Sequence, residues 1–295
     1  MSNAVQRIEV GWNDFWFQPE PAQALGACRI LFYGGLFVMC AGADFTPLCR
    51  VAEAFWQPVS FYSLIFPQGP LSAAATSWMQ LIWKISLLMS AAGLLTRVST
   101  IVSGVLGLYL IGLGYNFGHL DHAMALAGIV LIMLPFSSCG KVWSLDRLLA
   151  QKRGNFLPTL SGHEARWPIQ FVRVALSLVL FSAGLNKLRT SGLDWITTDT
   201  FQNYLFMRET PIGLRVAQWP LLCHFMAGFA VTTEFFHPLA LVSKKLARVW
   251  VPAGLAVFTG IYLTMDIHFV FLMYLHFFWL PWHRLFVTTP RRVGA

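Results

Sequence analysis

The chain alternates between long stretches without a charged residue and short polar loops. Five such stretches contain no Asp, Glu, Lys or Arg, and they cover residues 98–120, 123–140, 216–233, 249–265 and 267–283. A helix needs about 20 predominantly apolar residues to cross the hydrocarbon core of a bilayer. The pattern therefore predicts an all-α polytopic integral membrane protein.

The spacing of the apolar stretches predicts about eight transmembrane helices in one bundle. We expect them at residues 21–42, 73–95, 98–116, 122–136, 168–188, 220–241, 249–265 and 268–286. Segment 51–70 is apolar too, but Pro58, Pro67 and Gly69 interrupt it, so we expect a re-entrant or interfacial loop there. The predicted division is a cytoplasmic or interfacial segment at 1–20, a transmembrane domain at 21–288 and a short cytoplasmic tail at 289–295.

Composition and charge agree with this class and set an orientation. Charged residues make up 12% of the chain, about half of what a soluble domain carries. With both termini inside, the inner segments hold thirteen basic residues and the outer loops hold four. Cytoplasmic loops of membrane proteins carry the excess of Lys and Arg, so we expect both termini in the cytoplasm. The same rule explains the net charge of +8, and a nucleic-acid partner is not expected.

This orientation collects the polar residues of three turns at the outer, non-cytoplasmic face. Ionisable groups inside a membrane are costly, and they tend to line cavities or pair with one another. We therefore expect a polar pocket near the outer face. Its candidate residues are Asn116, His119, Asp121, His122, Asn186, Lys187, Asp194, Trp195, Asp266 and His268.

Several of these residues have an alternative structural role. Lys187 ends an apolar run, so it either snorkels to the lipid head groups or, because desolvation lowers the pKa of an ammonium group, acts as a base. His119 and His122 either bind a metal or cap a turn; we favour the cap, since no HExxH-like pattern is present. Glu234 is either protonated or paired, with Lys84, Arg29 or a histidine as its partner. His276 is expected to be a hydrogen-bonded core histidine.

Three groups of residues resemble a known membrane family. Residues 181–188 read Phe-Ser-Ala-Gly-Leu-Asn-Lys-Leu, and Asp194-Trp195 follows. This resembles the lysine-bearing helix of vitamin K-dependent γ-glutamyl carboxylase and of its bacterial relatives, the horizontally transferred transmembrane (HTTM) family. Residues 142–146 resemble the family's Trp-Ser-x-Asp motif, and Arg29 and residues 93–97 fit the same layout. The resemblance covers nearly the whole chain.

The resemblance implies a chemistry for Lys187. In the carboxylase, the matching lysine is the base that deprotonates reduced vitamin K, and the resulting anion reacts with oxygen. An assisting histidine maps to His122, or less well to His119. The implied cofactor is reduced vitamin K or a menaquinol-like quinol, without metal or nucleotide, at the outer face of a bacterial inner membrane. Asn186 stands where the family has a second lysine, and no counterpart of the carboxylase's large second domain is expected.

Two functions follow as hypotheses. The first is a vitamin K-dependent carboxylase-like enzyme that acts on a quinol, with Lys187 as general base, His122 orienting the substrate, and Asp121 or Asp194 fixing that geometry. The second is a non-enzymatic membrane factor for the maturation or export of a small peptide, with Lys187 as a structural counter-ion for Asp194 or Asp266. In both, membrane lipids surround the protein and a small peptide or protein substrate is a possible partner. A transporter is less favoured, because no inverted repeat is visible.

Overall fold

The computed structural model describes residues 3–118, 122–155 and 158–286 and is helical in each of these ranges. Five α-helices precede the gap at residues 119–121: α1 Asn3–Phe17, α2 Ala22–Cys40, α3 Tyr62–Ile65, α4 Ala73–Ala92 and α5 Thr96–Gly112. The next five are α6 His122–Met133, α7 Leu145–Lys152, α8 Gly162–Ser191, α9 Asp194–Thr197 and α10 Thr200–Arg208. The last five are α11 Pro211–Ala217, α12 Pro220–Phe236, α13 Lys244–Met265, α14 Val270–Leu275 and α15 Trp282–Phe286.

Among the described residues, four helical segments are long and apolar enough to cross a membrane: Ala22–Cys40, Thr96–Phe117, Gly162–Ser191 and Lys244–Met265. Two shorter apolar helices cover Met124–Phe136 and Val270–Trp279. These segments support an integral membrane protein built from helices. The number of eight spans and the inward orientation of both termini stay predictions.

The eighth predicted span is not one continuous helix. The predicted range 268–286 contains α14, a 3₁₀ turn at His276–Trp279 and α15. Pro281 lies directly before α15, and proline has no backbone N–H with which to continue a helix across the junction. The apolar composition that predicted a span carries no information about this break.

The fifth predicted span begins earlier than the pattern suggested. Helix α8 begins at Gly162 and not near Pro168. Ser161 and Glu164 form a capping box: the Ser161 hydroxyl accepts from the Glu164 N–H at 3.2 Å, and Glu164 Oε2 accepts from the Ser161 N–H at 3.4 Å. The predicted cytoplasmic loop before α8 is therefore shorter, and α8 reaches 30 residues.

The chain divides into two compact units, and the first comprises Met1–Gln170 with Pro281–Ala295. Its helices α2, α4, α5 and α6 pack around a core that includes Trp83, whose indole Nε1 donates to the Ser103 carbonyl at 3.1 Å. Segment 51–70 contains no long helix, as expected for a loop. Within this segment the backbone N–H groups of Gln57 and Val59 donate to the carbonyl and the Oδ1 of Asn116, which lies in the 3₁₀ turn after α5.

Residues 139–146, which include the Trp-Ser-x-Asp motif, form a corner that is held by Arg29. Arg29, fully buried on α2, donates through its two Nη atoms to the carbonyls of Ala91, Cys139, Val142 and Trp143. At Gly93 the backbone has φ +70°, and a Cβ there would lie 2.5 Å from the Cβ of Ser144. Glycine at this position therefore allows the corner to pack against the end of α4.

The second unit is Phe171–Leu280. It holds most of α8 and helices α9 to α14. A compact core forms where α10, α11, α12 and α13 meet, and Trp195 from α9 packs against it. Its buried members are Phe201, Leu205, Ala217, Cys223, Ala227 and Met265. Trp195 also contacts Lys187, which lies near the C-terminal end of α8.

Candidate functional site

Lys187 forms an ion pair with Glu234 inside the second unit. The lysine Nζ donates to Glu234 Oε1 at 2.6 Å and also contacts Oε2. The glutamate side chain is 5% exposed and the lysine side chain 22%. A buried carboxylate is costly without a partner, and this ammonium group supplies one from the neighbouring helix.

Gly184 explains why the two helices approach closely enough for this pair. It lies on α8, three residues before Lys187. A Cβ at this position would lie 2.7 Å from the Phe235 backbone N and 3.0 Å from the Glu234 Cβ. Any larger residue would push α12 away from α8. The Ala-Gly of the lysine-bearing motif is thus a packing requirement for the ion pair.

Trp195 covers the lysine from the other side. The Lys187 Nζ lies 5.7 Å from the centroid of the Trp195 ring, within the range of a cation–π contact. Trp195 is held in turn by a ring contact with Tyr204, whose centroid is 5.8 Å away. Lys187 and Trp195, both predicted as site residues, are therefore brought together with Glu234.

The expected partners of Glu234 were wrong. Lys84 donates to the carbonyls of Ala41 and Ala43, both at 2.8 Å, and Arg29 binds the four carbonyls of the corner. Both cations thus have backbone acceptors within the first unit. Lys187 is the residue that meets the carboxylate, because Gly184 brings α8 against α12.

The expected counter-ions of Lys187 were also wrong. Asp194 begins α9 with an exposed side chain. Asp266 is the left-handed residue after α13, and its exposed carboxylate lies 3.5 Å from His268 Nε2. His268 is exposed too and contacts the Tyr262 ring. The carboxylate that meets Lys187 is that of Glu234.

Other predicted site residues are placed as follows. Asn186 is exposed, next to Lys187 in the chain. Asn116 lies in the first unit, buried, and its side-chain amide is fully engaged with backbone groups. Its Oδ1 accepts from the Val59 N–H at 3.0 Å, and its Nδ2 donates to the carbonyls of Gly112 and Leu113.

The histidine-bearing turn before α6 lies largely outside the described residues. His119 and Asp121 are among those not described. His122 is the first residue of α6, and its side chain is outside the described part as well. Their predicted roles stay predictions.

Two functional candidates were missed or undervalued in the sequence. His237 follows Glu234 by three residues, on the same side of the helix, and it is fully buried with its Nδ1 3.1 Å from the Ser177 hydroxyl. His276 bonds the Leu272 carbonyl through Nδ1 at 2.8 Å, but its Nε2 has no partner among the described residues. The expectation of a fully bonded core histidine is therefore met at one nitrogen only. The Glu-x-x-His spacing in an apolar span was the available signal for His237.

Within residues 3–118, 122–155 and 158–286, no group of three or more His, Cys, Asp or Glu side chains is placed to hold a metal ion. All five cysteines are free, including Cys40 and Cys49. The candidate groups of the second unit are the Lys187–Glu234 ion pair, the Trp195 ring and the buried imidazoles of His237 and His276.

Comparison with known proteins gives one result. No curated protein matches the chain, and no solved structure matches it. A family model does match: residues 17–287 align with the model of the HTTM domain, which covers nearly all of the helical region described above. The chain therefore belongs to the HTTM family.

Proposed function

We propose that this protein is a vitamin K-dependent carboxylase-like membrane enzyme that takes a proton from the hydroxyl group of a lipid-soluble quinol. The observation that carries the proposal is the contact of Lys187 Nζ with both carboxylate oxygens of buried Glu234. The quinol would be reduced vitamin K or a menaquinol-like molecule, and the location a bacterial inner membrane with the site at its outer face. Surrounding lipids would deliver such an apolar substrate.

The ion pair suggests that the proton acceptor is the pair and not the lysine alone. A quinol hydroxyl that approaches Lys187 gives its proton to Nζ, while Nζ passes one of its own protons to Glu234. The quinol O–H bond breaks and a carboxylic acid O–H bond forms. The lysine stays an ammonium group, and its charge stabilises the new quinolate anion in a low-dielectric site.

Trp195 and the remaining candidates would serve this step by positioning. The Trp195 ring would hold the Lys187 Nζ by a cation–π contact, and the substrate would approach Nζ from a direction that the ring does not cover. We retain His122 as the group that orients the hydroxyl, with Asp121 or Asp194 fixing it. The later steps, reaction of the quinolate with oxygen and carboxylation of a peptide glutamate, follow from the family resemblance alone.

The test is oxygen uptake by the purified protein in the presence of a reduced quinone. We expect uptake and formation of the quinone epoxide by the unaltered protein. Lys187→Met should lower the rate at least 100-fold, as loss of general base catalysis does. Lys245→Met is the matched control, because Lys245 is exposed at the start of α13. Activity that survives Lys187→Met would contradict the assigned role.

A second function is favoured by the same ion pair. In a non-enzymatic factor for the maturation or export of a small peptide, Lys187 neutralises Glu234 and performs no chemistry. The double variant Lys187→Met with Glu234→Met should then retain peptide maturation, since both charges are removed together. Such retention, together with no quinol-dependent oxygen uptake by the unaltered protein, would favour this function over the enzyme.

A further inference from the structure

Two buried histidines of the second unit each leave one ring nitrogen without a hydrogen bond. His237 is 0% exposed and His276 is 5% exposed. The Nδ1 atoms of both rings have partners, but neither Nε2 has one among the described residues. An unpaired buried polar atom destabilises the folded protein. Two in the same cluster point to a bound group that satisfies them.

The two Nε2 atoms converge beside Gly254 on α13. An ideal Cβ built on Gly254 would lie 3.2 Å from His237 Nε2 and 3.2 Å from His276 Nε2, which is tighter than an ordinary Cβ contact. Since both atoms approach the same point, one small group bound between them would contact both imidazoles at once.

The hydrogen bonds at the Nδ1 atoms limit what this group can be. A backbone carbonyl only accepts, so His276 donates to Leu272 through Nδ1–H, and the Nε2 of the neutral ring is an acceptor. When the Ser177 hydroxyl donates to His237 Nδ1, the Nε2 of that ring carries the proton and donates. A hydroxyl group fits both, because it donates to His276 and accepts from His237. A carbonyl oxygen would leave His276 unpaired.

We propose that His237 and His276 form a binding site for one hydroxyl group, held between their Nε2 atoms beside Gly254. The hydroxyl comes from one of two sources, a hydroquinone or a buried water molecule. Aromatic walls favour the hydroquinone: the Trp279 ring lies 5.6 Å from the His237 ring and 6.1 Å from the His276 ring, and the Phe258 ring lies 6.0 Å from His276.

The position of the site relates it to the ion pair. Glu234 and His237 are three residues apart, so they are neighbours on one side of the chain with Cβ atoms about 5–6 Å apart. A hydroquinone carries its hydroxyl groups at opposite edges of one ring. One molecule therefore presents one hydroxyl to Lys187 and Glu234 and the other to the two histidines. This use of the site rests on the proposed function, whereas the hydroxyl site itself does not.

The experiment compares Gly254→Ala with Gly260→Ala on the same helix. The methyl group at residue 254 occupies the space between the Nε2 atoms, while a Cβ at residue 260 meets nothing within 4 Å. Affinity for 2-methyl-1,4-naphthohydroquinone is measured without oxygen in lipid nanodiscs, and thermal midpoints are measured without ligand. If the hydroquinone supplies the hydroxyl, Gly254→Ala binds it at least tenfold more weakly and Gly260→Ala binds it normally.

The other outcomes are equally defined. If water supplies the hydroxyl, all three proteins bind the hydroquinone alike, and Gly254→Ala has a lower thermal midpoint than Gly260→Ala because the water is lost. Equal affinity and equal midpoints for the two alanine variants overturn the site. Should Gly254→Ala fail to fold, His276→Phe keeps a ring against Trp279 without Nε2. Unchanged hydroquinone affinity and an unchanged thermal midpoint in that variant also overturn the site.

The two proposals fail separately. Turnover that survives Lys187→Met, with hydroquinone binding lost in Gly254→Ala, overturns the proposed function and supports the hydroxyl site. Turnover lost in Lys187→Met, with Gly254→Ala indistinguishable from Gly260→Ala, does the reverse.

Discussion

Arg29 in the first unit and Lys187 in the second are both basic residues on apolar helices, but they have different kinds of partner. The two Nη atoms of Arg29 donate to four backbone carbonyls, while its Nε has no partner among the described residues. Lys187 donates to the carboxylate of Glu234 and lies under an indole ring. One cation is held by the backbone and the other by ionisable and aromatic side chains.

The difference separates a cation that stabilises the fold from a cation whose partner can take part in proton transfer. A backbone carbonyl accepts a hydrogen bond but takes up no proton under physiological conditions, so the Arg29 corner is fixed. A carboxylate accepts a proton, so the Lys187 pair can change its protonation when a substrate arrives. The two motifs that resemble the family have these two different roles. The Trp-Ser-x-Asp motif stabilises the fold, and the Ala-Gly-x-x-Lys motif allows the ion pair to form.

Asp146 of the folding motif supports this division. Its carboxylate oxygens accept from the backbone N–H groups of Leu95 and Thr96, both at 2.7 Å, and from the Thr96 hydroxyl. The carboxylate thus caps the N-terminus of α5, where a negative charge is favourable. Its hydrogen-bonding capacity is used for the fold, as that of Arg29 is.

The largest effect is expected from Arg29→Met. Four buried carbonyls would lose their donor, at roughly 1 kcal/mol each, so the free energy of unfolding should fall by about 4 kcal/mol or more. Reversible denaturation in detergent measures it. Arg153→Met is the control, because Arg153 is exposed after α7. Similar losses in both variants would contradict the special role of the corner.

A double-mutant cycle sharpens the comparison at the second unit. Lys187→Met and Glu234→Met should each lower the free energy of unfolding by about 3 kcal/mol, because each leaves a buried charge unpaired. The double variant should lie within about 1 kcal/mol of the unaltered protein. Denaturation midpoints of the four proteins give the coupling energy. Additive losses would mean that the pair contributes no mutual stabilisation.

A moderate effect is expected from Asn116→Leu. Three backbone groups would lose the side-chain amide, and stability should fall by about 2 kcal/mol. The Michaelis constant of the folded protein for the quinol should change less than twofold, since the Asn116 amide is already hydrogen-bonded to backbone groups. Asn186→Leu, at an exposed position, serves as the control. A large rise in the Michaelis constant without loss of stability would return Asn116 to the substrate site.

The smallest effect is expected at Asp44, in the loop after α2. Hydrogen bonds from the Thr46 N–H, then from the Thr46 hydroxyl, lower the pKa of the Asp44 carboxyl. A lowered folded-state pKa contributes stability above the unfolded value of about 4, and that stability is lost as the pH falls through the folded value. Asp44→Asn should therefore weaken the protein slightly at pH 7 and by less at pH 3. A difference of the same size at both pH values would contradict this.

The sequence predicted the helices better than the contacts between them. Predominantly apolar stretches located the long helices, because an apolar run has few other stable structures in a membrane. The start of α8 was predicted too late, near Pro168, although Ser161 and Glu164 have capping-box spacing. The break after α14 was missed as well, although Pro281 interrupts the predicted span.

The site was predictable only in part, for a physical reason. Lys187 and Trp195 were found from their motif, but the partner of Lys187 depends on how α8 meets α12. That contact is decided by Gly184 against the backbone of Phe235, two positions far apart in the chain. The open Nε2 of His276 depends likewise on Gly254 of another helix. In both places a glycine allows other residues to approach its backbone closely. A hydrophobic periodicity pattern does not show which residues will approach a given glycine.

The central claim is that Glu234 takes the proton that the quinol loses through Lys187. The most direct measurement is the rate of quinol-dependent oxygen uptake by Glu234→Gln, which keeps a hydrogen-bonding side chain but cannot accept the proton. Glu209→Gln, exposed at the end of α10, is the matched control. The account predicts a rate at least 100-fold lower in Glu234→Gln and an unchanged rate in Glu209→Gln. A rate within twofold of the unaltered protein in Glu234→Gln would contradict it.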